Sequence, residues 1–507
     1  MIERFGVTEV VATGTNKPLT VVIGCDTFPP DINGASRFAE RLAGGLSRHG
    51  NNVHVIAPAF DRNYGTFTEV IDGSPMTVHR IKSYKLPQHK TLRWIWPFNL
   101  ESKTSKLLRE IKPDAVHIQS HLIMGRALVN SAKKQNIRVL ATNHIMPENL
   151  IKYSVIIPKF FEKTAMKMAW ADAGRILKKV DFVTTPTRRA AELLEAAAGV
   201  KDVLAISCGI DASKFANTTP TSNAEPRVLF LGRLDYEKHI HNLLKAVAML
   251  PRSLNTQVEI VGDGGEREFL QNLAVELGIS KNVKFLGHVT EKELPLAYER
   301  ATVFAMPSIA ELQSIATMEA MASGRPVVAA DAMALPHLVH DGDNGYLFQP
   351  DDVVEFSEKL KAVLTATPEE LERLSENSLH LIQAHDIERT ITIFENLYRG
   401  DADESSTSDD NSDDYYAPIG LLSPALHNRV QALRDRARAL RESALDLRER
   451  AEDAREEVRE RLVEFRDEAL ERTKAVNTRV KRSASKTAQK AKDAVERATD
   501  LLKGEDD

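Results

Sequence analysis

From Lys17 to about Arg399 the chain alternates short apolar runs with longer stretches whose apolar residues recur at three- and four-residue spacing. The runs are LTVVIG (19–24), VHVIAP (53–58), AVHIQ (115–119), VLATNH (139–144), FVTTP (182–186), RVLFLGR (227–233), VEIVGDG (258–264), VKFLGHV (283–289), TVFAMPS (302–308) and PVVAAD (326–331). They are apolar at consecutive positions, as strands are when helices cover both faces of a parallel sheet. Strand–helix alternation of this length exceeds one doubly wound sheet and predicts an α/β protein with two Rossmann-like domains. The stretch SCGIDASKFANTTPTSNAEPR, rich in Ser, Thr, Asn and Pro, reads as the break. The expected plan is an extension at 1–17, a first domain at 18–207, a linker at 208–226 and a second domain at 227–399. Ligands in such folds bind outside the carboxyl ends of the strands, so two facing edges would enclose a cleft.

Past Gly400 the pattern changes. DADESSTSDDNSDD carries seven acids and no base, which predicts a disordered linker over 400–422. From 423 to 502 the composition is that of a long helix. Small or apolar residues recur at Val430, Leu433, Ala437, Leu440, Ala444, Leu447, Ala451, Ala454 and Val458, then at Leu462, Phe465 and Ala469 after a stutter. Arg472 to Lys492 holds eight basic residues and no acid. This narrow stripe fits a coiled-coil seam, an amphipathic helix on a membrane surface, or a solvated single helix.

The chain of 507 residues has a formal charge of −5, so no overall field favours nucleic acid. Its two cysteines, Cys25 and Cys208, cannot build a disulfide framework or a cysteine-rich zinc site. No run of about 18 apolar residues predicts a membrane span. Glu3, Arg4 and Glu9 interrupt any signal-peptide pattern. A cytoplasmic protein is expected.

Candidate chemistry gathers after the strands of the second domain. In PSIAELQSIATMEAMASGRPVV (307–328), Glu311 sits between a strand and a helix, with Glu319 eight residues on. The residues between would offer free amides at a helix N-terminus, an anion site. Taken alone, the pair also fits a helix cap and a solvated glutamate. In FLGRLDYEK (230–238), Arg233 and Lys238 emerge past a strand and could neutralise a diphosphate, or be ordinary surface cations. VGDGGE (261–266) is a Gly-rich strand-to-helix turn, a weak nucleotide signal by itself.

Taken in chain order, ELQSIATMEAMASGRPVV, GRLDYEK, VGDGGE and the first-domain loop PPDINGAS (29–36) resemble the GT-B glycosyltransferases of the retaining family 4. That group includes the phosphatidylinositol mannosyltransferases and bacterial diacylglycerol glucosyltransferases. The resemblance covers roughly 18–399, and its most specific motif is the family's glutamate, seven residues, glutamate pattern at Glu311 and Glu319. It implies that Arg233 and Lys238 hold the donor diphosphate and stabilise the leaving group, that Glu311 contacts the transferred sugar and that Glu319 accepts from the ribose hydroxyls. Gln313, Ser314 and Ile315 would give backbone amides, and Gly34 would let its loop approach the phosphate. His144 would lie near the reacting sugar, Asp263 would face the nucleotide, and Asp31 would touch the acceptor. His117 and His121 are read as structural.

The donor expected is a GDP- or UDP-sugar, with no further cofactor. No Asp-x-Asp motif follows a strand in the first half, so metal-independent transfer is expected. The acceptor is expected to be a lipid or lipid-linked glycan at the cytosolic face of the plasma membrane. Arg472–Lys492 would bind anionic lipid, and the tail would allow self-association. KTLRWIWPFNL (90–100) and 142–163 mix apolar and basic residues, which fits either a membrane-dipping surface or ordinary core. The alternatives are a soluble transferase making a small glycoside or polysaccharide, a sugar-nucleotide epimerase, and an inactive scaffold organised by the tail.

Overall fold

The computed structural model describes residues 17–31, 33–85, 93–146, 161–215 and 225–400, together with parts of 485–493. The 1–16 extension, residues 216–224, the acidic linker past Gly400 and nearly all of the tail lie outside the described residues. Within 485–493 the described residues are helical. Among the described residues, no helix is long and apolar enough to cross a membrane.

The first lobe holds β1 (Thr20–Gly24), β2 (Asn52–Pro58), β3 (Gly65–Ile71), β4 (Ser74–Ile81), β5 (Ser83–Lys85), β6 (Arg93–Ile95), β7 (Ala115–Ile118), β8 (Arg138–Thr142), β9 (Phe182–Thr185) and β10 (Leu204–Ala205). Eight of these form one sheet in the order β10-β9-β8-β7-β1-β2-β4-β3. It is parallel except for the β3–β4 pair. β5 and β6 make a separate antiparallel pair. The second lobe holds β11 (Arg227–Leu231), β12 (Gln257–Val261), β13 (Val283–Gly287), β14 (Val303–Met306), β15 (Val327–Ala330) and β16 (Gly345–Phe348). They form a parallel sheet ordered β13-β12-β11-β14-β15-β16.

All ten apolar runs are strands. β7, β14 and β15 are buried at every position, because helices cover both faces. Chain order reverses between β7 and β1 in one sheet and between β11 and β14 in the other. These are the switch points where loops diverge and leave a crevice.

The last helix, Ile387–Arg399, does not stay with the second lobe, although sequence order assigned 227–399 there. Phe394 packs on the rings of Phe38 and His117, with centroids 5.8 and 4.9 Å apart. The hydroxyl of Tyr398 bonds His117 Nδ1 at 2.7 Å, and His117 Nε2 bonds Thr142 at 2.7 Å. Both nitrogens of this buried imidazole are thus satisfied, and burial lowers its pKa to about 3. The amphipathic spacing of Ile387, Ile391, Phe394 and Tyr398 fits a helix but does not say which surface its apolar face covers. The outbound and returning segments are tied side by side: Ile210 N donates to His385 O at 2.8 Å and Ile387 N to Ile210 O at 3.2 Å.

Candidate active site

A cavity of 480 Å³ lies where the two sets of strand ends meet. From the first lobe it is lined by Asp26 and Thr27 after β1, Gln119 and Ser120 after β7, and His144 after β8. Asn33, Gly34 and Ala35 line it from the start of the first helix. The second lobe contributes the loop 233–238 after β11, Gly265 and Glu266 after β12, and 310–313 with Ile315 after β14. The residues on either side of each switch point therefore converge on one space.

Two helix N-termini open into it. The Gly34–Arg48 helix is capped by Asn33, whose side chain accepts from Ser36 N at 2.9 Å. The Ile315–Ala322 helix is capped by Ser314, which accepts from Thr317 N at 3.3 Å. In each case the cap satisfies one amide and leaves earlier ones unbonded within the helix. A Cβ on Gly34 would meet only Ile315 Cδ1, at 3.9 Å, so the space over this turn is open.

The cations of the second lobe are already paired. Lys238 Nζ bonds Glu311, the two side chains being 15% and 10% exposed. Arg233 pairs with Asp235 and, at 3.2 Å, with Glu237. An arriving anion must exchange partners with these carboxylates. Gly262 shows how the Arg233 loop is held. Its φ is +127°, and a Cβ there would stand 1.9 Å from the Gly232 carbonyl oxygen, so the two strand-end turns stack backbone on backbone. The Gly-rich turn is thus explained by packing. Asp263 accepts from Gly264 N at 2.9 Å, lies 3.7 Å from Arg267, and does not line the cavity.

Glu319 also lies outside the lining. One of its oxygens accepts from Arg41 at 2.7 Å across the lobes, and the other from the Tyr298 hydroxyl at 3.1 Å. Gln313 reaches the cavity, but its side chain clamps the interlobe segment, accepting from Cys208 N at 2.8 Å and donating to Ser207 at 3.0 Å. Ser314 is occupied by its capping role.

His144 Nε2 donates to Gln119 Oε1 at 3.1 Å, beside the Phe38 ring at 5.0 Å. Burial brings its pKa down to about 4, so the imidazole is neutral at physiological pH and its other nitrogen can only accept. Asp31 is buried, its carboxyl pushed up by desolvation, and its Oδ1 has no protein partner.

Sequence reasoning missed Asp26, Gln119, Ser120 and Arg41. The first three follow strands β1 and β7, and a rule of reading every strand end would have found them. Asp26 accepts from Met124 N at 3.0 Å and from Ser120, and burial raises its pKa. Gln119 Nε2 is buried without a protein partner. No local signal marks Arg41, whose partner is 278 residues away.

Residues 32–214 match the Glycosyltransferase Family 4 model and residues 212–380 the Glycosyl transferases group 1 model. The chain is 25% identical to an alpha-monoglucosyldiacylglycerol synthase of Acholeplasma laidlawii, over 71% of this chain and 92% of that protein. It is 29% identical to a GDP-mannose-dependent alpha-mannosyltransferase of Mycolicibacterium smegmatis, over 66% and 85%. Among solved structures, sucrose-phosphate synthase from Thermosynechococcus elongatus shares the fold with a TM-score of 0.63 at 21% identity, over 76% of this chain and 99% of that one. With strand ends of two Rossmann-like lobes meeting at one cavity, and adjoining models spanning both, the chain belongs to the GT-B glycosyltransferases, with a family 4 amino-terminal lobe and a group 1 carboxy-terminal lobe.

Proposed function

We propose that this glycosyltransferase moves a hexose from a nucleotide diphosphate sugar to a lipid or lipid-linked acceptor at the cytosolic membrane face, with retention of anomeric configuration and without a metal. The observation that carries the reading is the meeting of Arg233, Lys238, Glu311 and two helix N-termini in one interlobe cavity. Relatives whose names specify diacylglycerol-linked glucose and GDP-mannose support a lipid acceptor and a nucleotide-sugar donor.

Breaking the bond from the anomeric carbon to the diphosphate builds negative charge on the leaving phosphate. Arg233, Lys238 and the amides at Gly34 and Ile315 supply fixed positive charge and dipoles for it, and preorganised electrostatics of this kind is worth several kcal/mol. As the diphosphate takes Lys238, it frees Glu311 to accept from the sugar's hydroxyls. Donor binding and sugar orientation are thereby one exchange. Neutral His144 accepts a hydrogen bond from the sugar and does not protonate it. In a same-face displacement the acceptor oxygen bonds to the anomeric carbon as the phosphate oxygen leaves, and the acceptor's proton passes to that phosphate. Glu319 reaches a ribose only after giving up Arg41.

A thermal-shift series with GDP, UDP, ADP and their sugars is expected to give one strongly stabilising nucleotide, since a ligand of the native state raises its melting temperature. Transfer to extracted lipid, read by NMR, is expected to keep the donor's anomeric configuration and to persist in EDTA. An inverted product, or activity abolished by chelation and restored by a divalent ion, overturns the corresponding part.

A further inference from the structure

Outside the active site, the first lobe carries a groove of 610 Å³ built on the small β5–β6 pair. The segment of the sequence that fits either core or surface alternates here. Ile95 and Leu100 turn inward, each 2% exposed, while Trp96 and Phe98 stand 58% and 70% exposed with their rings 5.6 Å apart. Tyr84 and Trp94 extend the same apolar wall. Exposed aromatic area of this extent on a single chain marks an interaction surface.

The groove's charge is one-sided. Lys82, Lys85 and Lys103 line it, no acid does, and among the described residues none of the three makes an ion pair. Lys82 instead lies over the rings of Tyr64 and Tyr84, at 5.6 and 5.7 Å. Some lysines elsewhere on this lobe find carboxylates, as Lys133 does with Asp181 at 2.7 Å. Apolar rings among unpaired lysines match the boundary layer of a bilayer, where aromatic bodies sit among acyl chains and ammonium groups meet lipid phosphate. A protein partner would ordinarily be met by a surface depleted in lysine.

From this juxtaposition we infer that the β5–β6 groove is where the first lobe docks on an anionic phospholipid surface, its aromatic side chains entering the interface and its three lysines holding lipid phosphates. The groove adjoins the loop that leads into the active site. Arg80, at the end of β4 beside Ile81 and Lys82, donates to Pro29 O at 2.9 Å. Docking here brings bilayer lipid next to the Pro29–Gly34 loop. The inference deepens the membrane-face reading but does not rest on the acceptor's identity. It is tested without turnover, so failure of one leaves the other standing.

The chain has three tryptophans, and Trp170 is buried in the core, so a change of emission on adding lipid reports on Trp94 and Trp96. The full chain is titrated with vesicles of phosphatidylcholine alone or mixed with phosphatidylglycerol. Anionic vesicles are expected to shift emission to the blue, with quenching by acyl-chain-brominated lipid. Trp96→Ser with Phe98→Ser removes most of the shift while soluble-donor hydrolysis is unchanged. Replacing Lys82, Lys85 and Lys103 by Gln weakens binding on the order of a hundredfold, at about 1 kcal/mol per lysine. Vesicle binding with no shift, equal response to neutral and anionic vesicles, or a shift that grows with protein concentration in the absence of lipid (self-association through the patch) overturns it.

Discussion

The two walls of the active site are made of different materials. The second lobe brings formal charge: Arg233 and Lys238 on one turn, with Asp235, Glu237 and Glu311 as their partners. The first lobe brings neutral or buried polar groups, namely the Gly34 turn, Gln119, His144 and Asp26, whose carboxyl is raised by burial. A diphosphate is the same anion whatever sugar it carries, so a fixed set of charges serves it. On the proposed function an acceptor is chosen by shape and hydrogen bonding, a selection that would fall to the uncharged wall. Gln119 Nε2, buried without a protein partner, belongs to that side, whereas Asp31 lies off the cavity lining.

The largest effects should come from breaking the charged wall. Lys238→Ala and Arg233→Ala are each expected to lower kcat about 100- to 1,000-fold, the usual cost of losing a donor that meets developing charge. Circular dichroism should keep its shape in both; Arg233 is partly exposed, whereas Lys238→Ala leaves the buried Glu311 without its cation and should also lower the urea midpoint. Near wild-type transfer by both variants would remove the distinction between the walls. Arg41→Ala should instead cost stability, about 3 kcal/mol by urea unfolding, since it leaves Glu319 buried beside Tyr298 without its cation. Should transfer or nucleotide affinity rise in this variant, Glu319 is being held away from the donor by Arg41.

Acid should act through buried imidazoles, which include those of the uncharged wall and the core behind it as well as His79 and His385. His117 and His144 resist protonation down to about 3 and about 4, whereas in the unfolded chain they protonate near their ordinary value of about 6.5. The unfolded state then binds more protons over that window. Stability is full above about pH 6.5 and falls as pH drops toward 4. A melting series across pH 4–7, repeated with His117→Gln, should show a shallower slope in the variant. The smallest effect expected is for Gly34→Ala. Its Cβ fits the fold but enters the space over the helix turn, so donor affinity should drop about tenfold, near 1.4 kcal/mol. An unchanged Kd would mean that phosphate does not approach this turn.

Much of this was legible before the structure, and the limits are physical. Buried parallel strands announce themselves because both faces are apolar, so all ten runs emerged as strands. Strand β3 did not, since GTFTEVI is almost wholly exposed and lacks an apolar face. In the site, Arg233, Lys238, Glu311, Gln313, Ile315, Gly34 and His144 share one cavity, because the strand-end rule fixes where loops go. Glu319, Asp263 and Ser314 lie off its lining. Local spacing cannot tell that a helical glutamate will meet an arginine from the other lobe, or that a glycine turn serves a neighbouring backbone. Asp26 and Gln119 obey the same strand-end rule but belong to no charged motif, and so drew no notice.

The side-by-side backbone bonds of Ile210 with His385 and Ile387 have a mechanical consequence. The polypeptide crosses between lobes twice, and both crossings run along one short ribbon. Two tethers on a common line would act as an axle for any movement of the lobes, since twisting or sliding would break the bonds of Ile210 with His385 and Ile387. Any closing of the cavity would then follow a single arc, bringing Lys238 and the Gly34 turn together in one register.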